Sequence, residues 1–313
     1  MRNASTIGSL VLAIAVAAGA RAEEPVVLKG HQLPPTVLQF GSDGSLLSIA
    51  ADEFGSRPSE IALWDITNAK TIWVQKGPRI VWDAVVHTKG DRIFTAGAEV
   101  EGRDIKTGAR NWTIAEPSIW WFAIALSSDG KYLLTGGSKM TADGEFAADK
   151  SEVVVRNAAD GKVVKRLVAG ESPIQLVAMG TAAALAVDRA GNLYRWSAAD
   201  WSQAAPRKVG AGVCSLGVQG RLAVGFDDRV EIFTLEKDAA PLRLEGCQPL
   251  AATAEAFAFR TEDTFTLWTP NKVSTIPVAA TPQVSRLAIK TEGKLSVAWT
   301  EIESREIRAW QAK

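Results

Sequence analysis

The stretch Val37-Leu38-Gln39-Phe40-Gly41-Ser42-Asp43-Gly44, continued by Leu46-Leu47-Ser48-Ile49-Ala50 and then by Ile61-Ala62-Leu63-Trp64-Asp65, sets a pattern that the rest of the chain repeats. It reads as a strand, a polar turn carrying Asp-Gly, a second strand, and a third strand ending in tryptophan. Residues 124–137 repeat it: Ile124-Ala125-Leu126, Ser127-Ser128-Asp129-Gly130, then Tyr132-Leu133-Leu134-Thr135-Gly136-Gly137. Asp and Gly tolerate positive φ, so Asp-Gly between alternating apolar segments signals a short hairpin, here expected to have a two-residue loop. The flanking residues alternate with period two, as strands with one buried face do.

The closing position of the third strand carries the register through the chain. It is occupied in turn by Trp64, Arg103, Arg156, Trp196, Phe233, Trp268 and Trp310, at spacings of 39, 53, 40, 37, 35 and 42 residues. The long interval contains the polar segment Ser138 to Ser151, which reads as an inserted loop, either a partner contact or plain surface. Seven copies of about 40 residues suit four short strands each. An aromatic at the closing position can pack between neighbouring sheets, and weaker packing is expected where Arg103 and Arg156 replace it.

These residues resemble the WD-repeat (WD40) β-propellers. Leu63-Trp64-Asp65 stands where that family has its Trp-Asp signature, and Gly30-His31 resembles its Gly-His element. Asp104-Ile105-Lys106-Thr107-Gly108 and Asp160-Gly161-Lys162 resemble the family's turn between third and fourth strands. The likeness runs over residues 25–313 and implies an all-β, seven-bladed propeller of four-stranded antiparallel blades. Most copies lack both signatures, so the family's side-chain hydrogen bonds around His and Asp are expected to be mostly absent. The seventh copy (Ser285 to Ile289, Lys294 to Thr300, Glu306 to Trp310) has three strands, and the resemblance implies that Val26-Val27-Leu28-Lys29 supplies its fourth. Closing a ring in this way removes an exposed strand edge.

Composition and the N-terminus bound the setting. Apolar residues make up 47% of the 313, and Lys plus Arg equal Asp plus Glu at 35 each, a balance that argues against a nucleic-acid partner. Arg2, the apolar run Ile7 to Ala18 and Ala20-Arg21-Ala22 read as a cleavable export signal over residues 1–22, with a mature domain of 23–313 in the periplasm or outside a bacterial cell. The rival, an uncleaved anchor, would need a run of roughly 20 apolar residues, and no later segment provides a membrane span. An oxidising compartment permits a Cys214–Cys247 disulfide, and two separate buried thiols are the alternative.

No residue set signals chemistry. The two histidines, His31 and His87, stand in no nucleophile elbow and in no Cys/His cluster, so neither a catalytic triad nor a zinc or haem site is expected, and no cofactor. Asp188, Asp227-Asp228 and Glu262-Asp263 fall in expected loops between second and third strands, where solvated turn residues are the ordinary reading and paired acids for hydrolysis the alternative. The aromatic residues are more suggestive. Trp82 and Phe122 hold matching places before Gly90 and Gly130, Trp120 and Trp121 precede Phe122, and Lys76 and Arg79 lie in the adjoining loop. The resemblance places this part of the strand near the top face beside the central channel, and aromatics with basic neighbours are typical of binding hot spots. Some of them would serve the core instead. The expectation is a non-enzymatic scaffold binding a protein or peptide through Trp82, Trp120, Trp121, Phe122, Lys76 and Arg79. The alternatives are a lactonase-like or other propeller hydrolase using channel carboxylates, and an accessory subunit of exported redox proteins.

Overall fold

The computed structural model describes residues 24–312 other than 53–54, 88, 142–145, 181, 211–212, 218–220, 226–228, 235–239, 246–247, 253–255, 262–263, 270–271, 280–283 and 292–293. At 146–150, 213–217, 221–222, 224–225, 233–234, 248–252, 259–261, 272–273, 277–279 and 284–285 it describes backbone alone. Residues 1–22, read as an export signal, lie outside it. So does the Cys214–Cys247 pair: Cys247 is not described, and of Cys214 only the backbone is, paired with Val224. Among the described residues no helix is long and apolar enough to cross a membrane.

The described chain is all β. It forms seven antiparallel sheets of four strands. Six of them take four consecutive strands, and their first strands are Pro35–Phe40, Val81–Val86, Ile119–Leu126, Ile174–Met179, Val213–Gly217 and Gln248–Ala252. The seventh begins with Val284–Lys290 and ends on the chain's opening strand, Val26–Leu28, which lies against Ile307–Gln311 with Val26 opposite Ala309 and Leu28 opposite Ile307. Each first strand lies against the first strand of the next sheet, and that of the seventh lies against that of the first.

The sequence pattern explains the layering. The second strands are buried on both faces, as in Leu46–Ala50, where every residue is buried and all but Ser48 are apolar. One core layer, for example, combines Leu38, Leu46 and Trp64 of the first sheet with Leu28, Ala298 and Ile307 of the seventh. The next combines Leu47, Ile61 and Leu63 with Val81, Ile93 and Ile105. All seven expected closing positions fall in third strands, where Trp64 faces Leu46, Arg103 faces Ile93 and Trp310 faces Val297.

Three expectations need correction. The Asp-Gly hairpins have five-residue connections rather than two-residue loops: Gly41 N–H donates to Ser45 O at 2.8 Å, and Gly44 and Gly130 take φ of 88° and 74°. Asp129 accepts the Ser127 hydroxyl and the Lys131 amide there, bonds that hold its carboxyl down at about 2. The segment Ser138 to Ser151 is mostly strand. Tyr132–Met140 and Phe146–Asn157 continue as one long hairpin, because Lys139 and Ser138 keep pairing with Ile119 and Trp120.

The third correction concerns the arginines, which pack as tightly as the tryptophans they replace. Arg156 is fully buried, its guanidinium 4.9 Å from the centre of the Trp121 ring. It donates to Thr135 Oγ1 at 3.3 Å, to Gly161 O, and to Glu116, which also accepts Arg166 at 2.7 Å. Arg103 repeats the device in the second sheet, with Glu101 at 2.8 Å and the carbonyls of Gly108 and Lys76. In the first sheet, Trp64 Nε1–H donates to Ser48 Oγ at 2.7 Å, Ser48 bonds His31 Nε2 at 2.6 Å, and His31 Nδ1 meets Glu60 at 3.2 Å. A neutral ring protonated on Nδ1 satisfies each of these groups. Burial lowers the His31 pKa in agreement with that, against an opposing pull from Glu60. Gly30 must be glycine, since a Cβ there would stand 2.9 Å from the Trp64 ring. Trp64–Ser48–His31 and Arg156–Thr135–Glu116 thus fill equivalent places with opposite chemistry: the hydrogen bonds around His stand in the first sheet, the copy that carries both signatures, and ions take their place in the third.

Candidate functional site

A recurring backbone irregularity places the aromatic side chains. In six of the seven first strands the register shifts by one residue near the strand's beginning, at Thr36, Trp82, Phe122, Gln175, Leu250 and Ser285. A bulge of this kind turns the extra side chain out of the regular alternation, and such bulges are frequent beside binding sites. Thr36, Trp82 and Phe122 each precede the turn glycines Gly44, Gly90 and Gly130 by eight residues.

Trp82 and Phe122 therefore emerge at the same level on neighbouring sheets. Their rings lie 5.9 Å apart, and Trp120 stands 6.4 Å from Trp82 on its other side. Trp82 remains 37% exposed, while Trp120 and Phe122 are half-buried. The Arg189 guanidinium, from the fourth sheet, covers Phe122 at 5.6 Å. Trp121 does not join them. Strand alternation turns it inward, fully buried between the second and third sheets beneath Arg156, so it is a core residue and not a contact residue. Lys76 is the last residue of the outer strand Lys70–Lys76, not part of a loop, and Arg79 lies in the connection beyond it; both are exposed at this end of the sheets.

Asp83 was not singled out in the sequence, yet it ties the site together. Its carboxylate accepts Ile124 N–H of the third sheet at 2.9 Å and Ala84 N–H at 2.8 Å. Although the residue keeps some solvent contact, burial among the packed first strands raises its pKa to about 7, against the lowering effect of those two bonds. A raised folded pKa means that the folded state binds the extra proton between about 3.8 and 7, so the stabilisation is present at acid pH and lost as pH rises through 7. The expected result is that Asp83→Asn gains stability relative to the wild type between pH 5 and pH 8. Urea unfolding at the two pH values measures it, and parallel curves for the two proteins would refute the assignment.

Of the loop acids, Asp188 alone is described. Asp188 is not a solvated turn residue: it ends the strand Ala183–Asp188 fully buried, accepting Asn192 N–H at 2.8 Å and the Tyr194 hydroxyl at 2.9 Å. Burial, with the neighbouring Asp188 carboxylate, pushes the Tyr194 hydroxyl up to about 12. Asp227, Asp228, Glu262 and Asp263 lie outside the described residues. Among the described residues no three His, Cys, Asp or Glu side chains converge as metal ligands would. His87 is buried between sheets, its Nε2–H donating to Gly130 O at 3.1 Å.

No protein-family model matches this chain, and no curated protein matches it in sequence.

Proposed function

We propose that the chain is an exported, seven-bladed β-propeller of the WD-repeat kind that serves as a non-enzymatic scaffold, binding a protein or peptide at the mouth of its central channel. The cyclic adjacency of the first strands and the pairing of Val26–Leu28 with Ile307–Gln311 support the ring. The His31–Ser48–Trp64 hydrogen bonds behind Gly30 support the family reading.

The observation that carries the function is Trp82, exposed between Trp120 and Phe122 with Arg189 alongside. Large rings held on rigid strands give contact area at small entropic cost, the usual composition of an interface hot spot. Asp83 has the pKa that a general acid near neutrality would need, but both its oxygens are engaged by backbone amides, which suits a structural tie better than proton transfer.

Changing Trp82 and Phe122 together to alanine is expected to leave unfolding cooperative, with a loss of about 1–2 kcal/mol. Capture of the partner from a periplasmic extract should disappear with that variant. Capture that persists at wild-type level on an intact fold would remove the site, and turnover of lactone or glycoside substrates would replace the scaffold by an enzyme.

A further inference from the structure

Side chains tie neighbouring first strands together by bonding backbone across the junction, and three such ties use three chemistries. Between the first and second sheets, Gln39 Oε1 accepts Val86 N–H at 3.0 Å. Between the seventh and first, Arg286 Nε–H donates to Thr36 O at 2.6 Å. Between the second and third, the acceptor is the Asp83 carboxylate, with one oxygen on Ala84 N–H and the other on Ile124 N–H. An amide and a guanidinium keep their state at any ordinary pH, whereas burial brings the Asp83 carboxyl to about 7. Asp83 is also the only carboxylate in the sequence of the seven first strands.

The tie sits among the rings. Trp82, one residue before Asp83, is wedged between Trp120 and Phe122, and Ile124 follows Phe122 by two residues. Two register shifts meet there, at Trp82 and at Phe122, and the carboxylate spans them. An ionised carboxylate only accepts, so it suits two amide donors. On protonation one oxygen becomes a hydroxyl, itself a donor, and the charge that strengthened both bonds is gone. Ala84 is the next residue in the chain and stays within reach, so the bond that gives way is the one to Ile124 on the third sheet.

Of the strands packed against that of Asp83, Pro35–Phe40 and Ile119–Leu126 carry no titratable side chain. Arg92–Gly97 carries only Arg92, at its opposite end and bonded to Ala158 O. At the rim stand Asp52, bonded to Ser56, Glu99, bonded to Thr113, and the cations Arg57, Lys76, Arg79, Lys139 and Arg189. The side chains of Glu53, Asp143, Glu145, Asp149 and Lys150 lie outside the described residues. Among the described residues, burial and the two amides are what set the Asp83 carboxyl.

We propose that Asp83 is a proton-operated tie at the mouth: ionised, it holds the first strands of the second and third sheets together at their register shifts, and protonated, it releases Ile124 and lets Trp82 draw away from Phe122. As a regulation of binding this rests on the scaffold reading above; the movement itself does not.

The test is an NMR titration of the purified chain and of Asp83→Asn between pH 8 and pH 5. In the wild type the Ile124 amide proton should move upfield as its bond is lost, and the NOEs between the Trp82 and Phe122 rings should weaken severalfold, both with a midpoint near 7. The indole signal of Trp299, buried in the seventh sheet, should stay in place. Asparagine offers one acceptor oxygen and an amide donor, so Asp83→Asn should show the acid-side spectrum throughout. Wild-type signals that do not move, or that move equally in Asp83→Asn, would overturn the tie and leave the scaffold standing. The expected titration beside partner capture that ignores Trp82 and Phe122 would keep the tie and remove the scaffold.

Discussion

Glu116→Gln is expected to cost about 3–5 kcal/mol of unfolding free energy, far more than a carboxylate on a loop ordinarily carries. Its partner Arg156 is fully buried, and the substitution would take away the carboxylate charge, leaving that guanidinium with neutral acceptors and the Trp121 ring. Burial already works against both partners. It lowers the pKa of Arg156, and it opposes the ionised form of Glu116, whose pKa nevertheless falls below the usual 4.5 because Arg156 and Arg166 bond the carboxylate. A depressed folded pKa means stability present above 4.5 and lost as pH falls through the folded value, so the glutamine variant should also show a flatter acid limb. Arg156→Met is the informative companion. It removes the buried charge and keeps apolar volume, and Glu116 retains Arg166, so it should cost much less. Urea unfolding of both variants at pH 7 decides the matter. Equal costs would mean that the position responds to packing volume and not to charge.

That pair also marks where the sequence stopped being legible. The closing positions were readable because a strand's side-chain period is two and the interval between copies is near 40 residues, and all seven fall in third strands. Weaker packing was expected at Arg103 and Arg156 because the groups that neutralise them are visible only in the folded chain. Glu116 stands 40 residues before Arg156, and no local pattern announces it. The aromatic site divides the same way. The matched spacing to Gly90 and Gly130 found Trp82 and Phe122, and simple alternation already separates Trp121 from its neighbours on either side. The bulge that brings Trp82 and Phe122 outward is a matter of register between two strands, so it leaves no local trace. Asp83 and Arg189 act across sheets, on Ile124 and Phe122, and look like ordinary polar residues in the sequence.

Deleting residues 23–31 should lower stability by about 5 kcal/mol or more and cause aggregation on heating, because the segment does three jobs at once. Val26, Val27 and Leu28 pair with Ala309, Arg308 and Ile307, so their loss leaves the strand Ile307–Gln311 as an open edge able to recruit another chain. Leu28 is 1% exposed in the layer that holds Trp64, Ala298 and Ile307, so a cavity opens between the first and seventh sheets. His31 leaves with the segment, stripping Ser48 and Glu60 of a partner in a buried setting. The three losses separate experimentally. Leu28→Ala should cost about 2–5 kcal/mol without aggregation, since the ladder survives. His31→Ala should destabilise by less and remove the acid-side loss that a His with a depressed pKa imposes as pH falls below 6.5. Only the deletion should scatter light at its midpoint. A deletion variant that melts like the wild type would mean that the ends of the chain do not hold the first and seventh sheets together, and the ring proposed from their pairing would have to be abandoned.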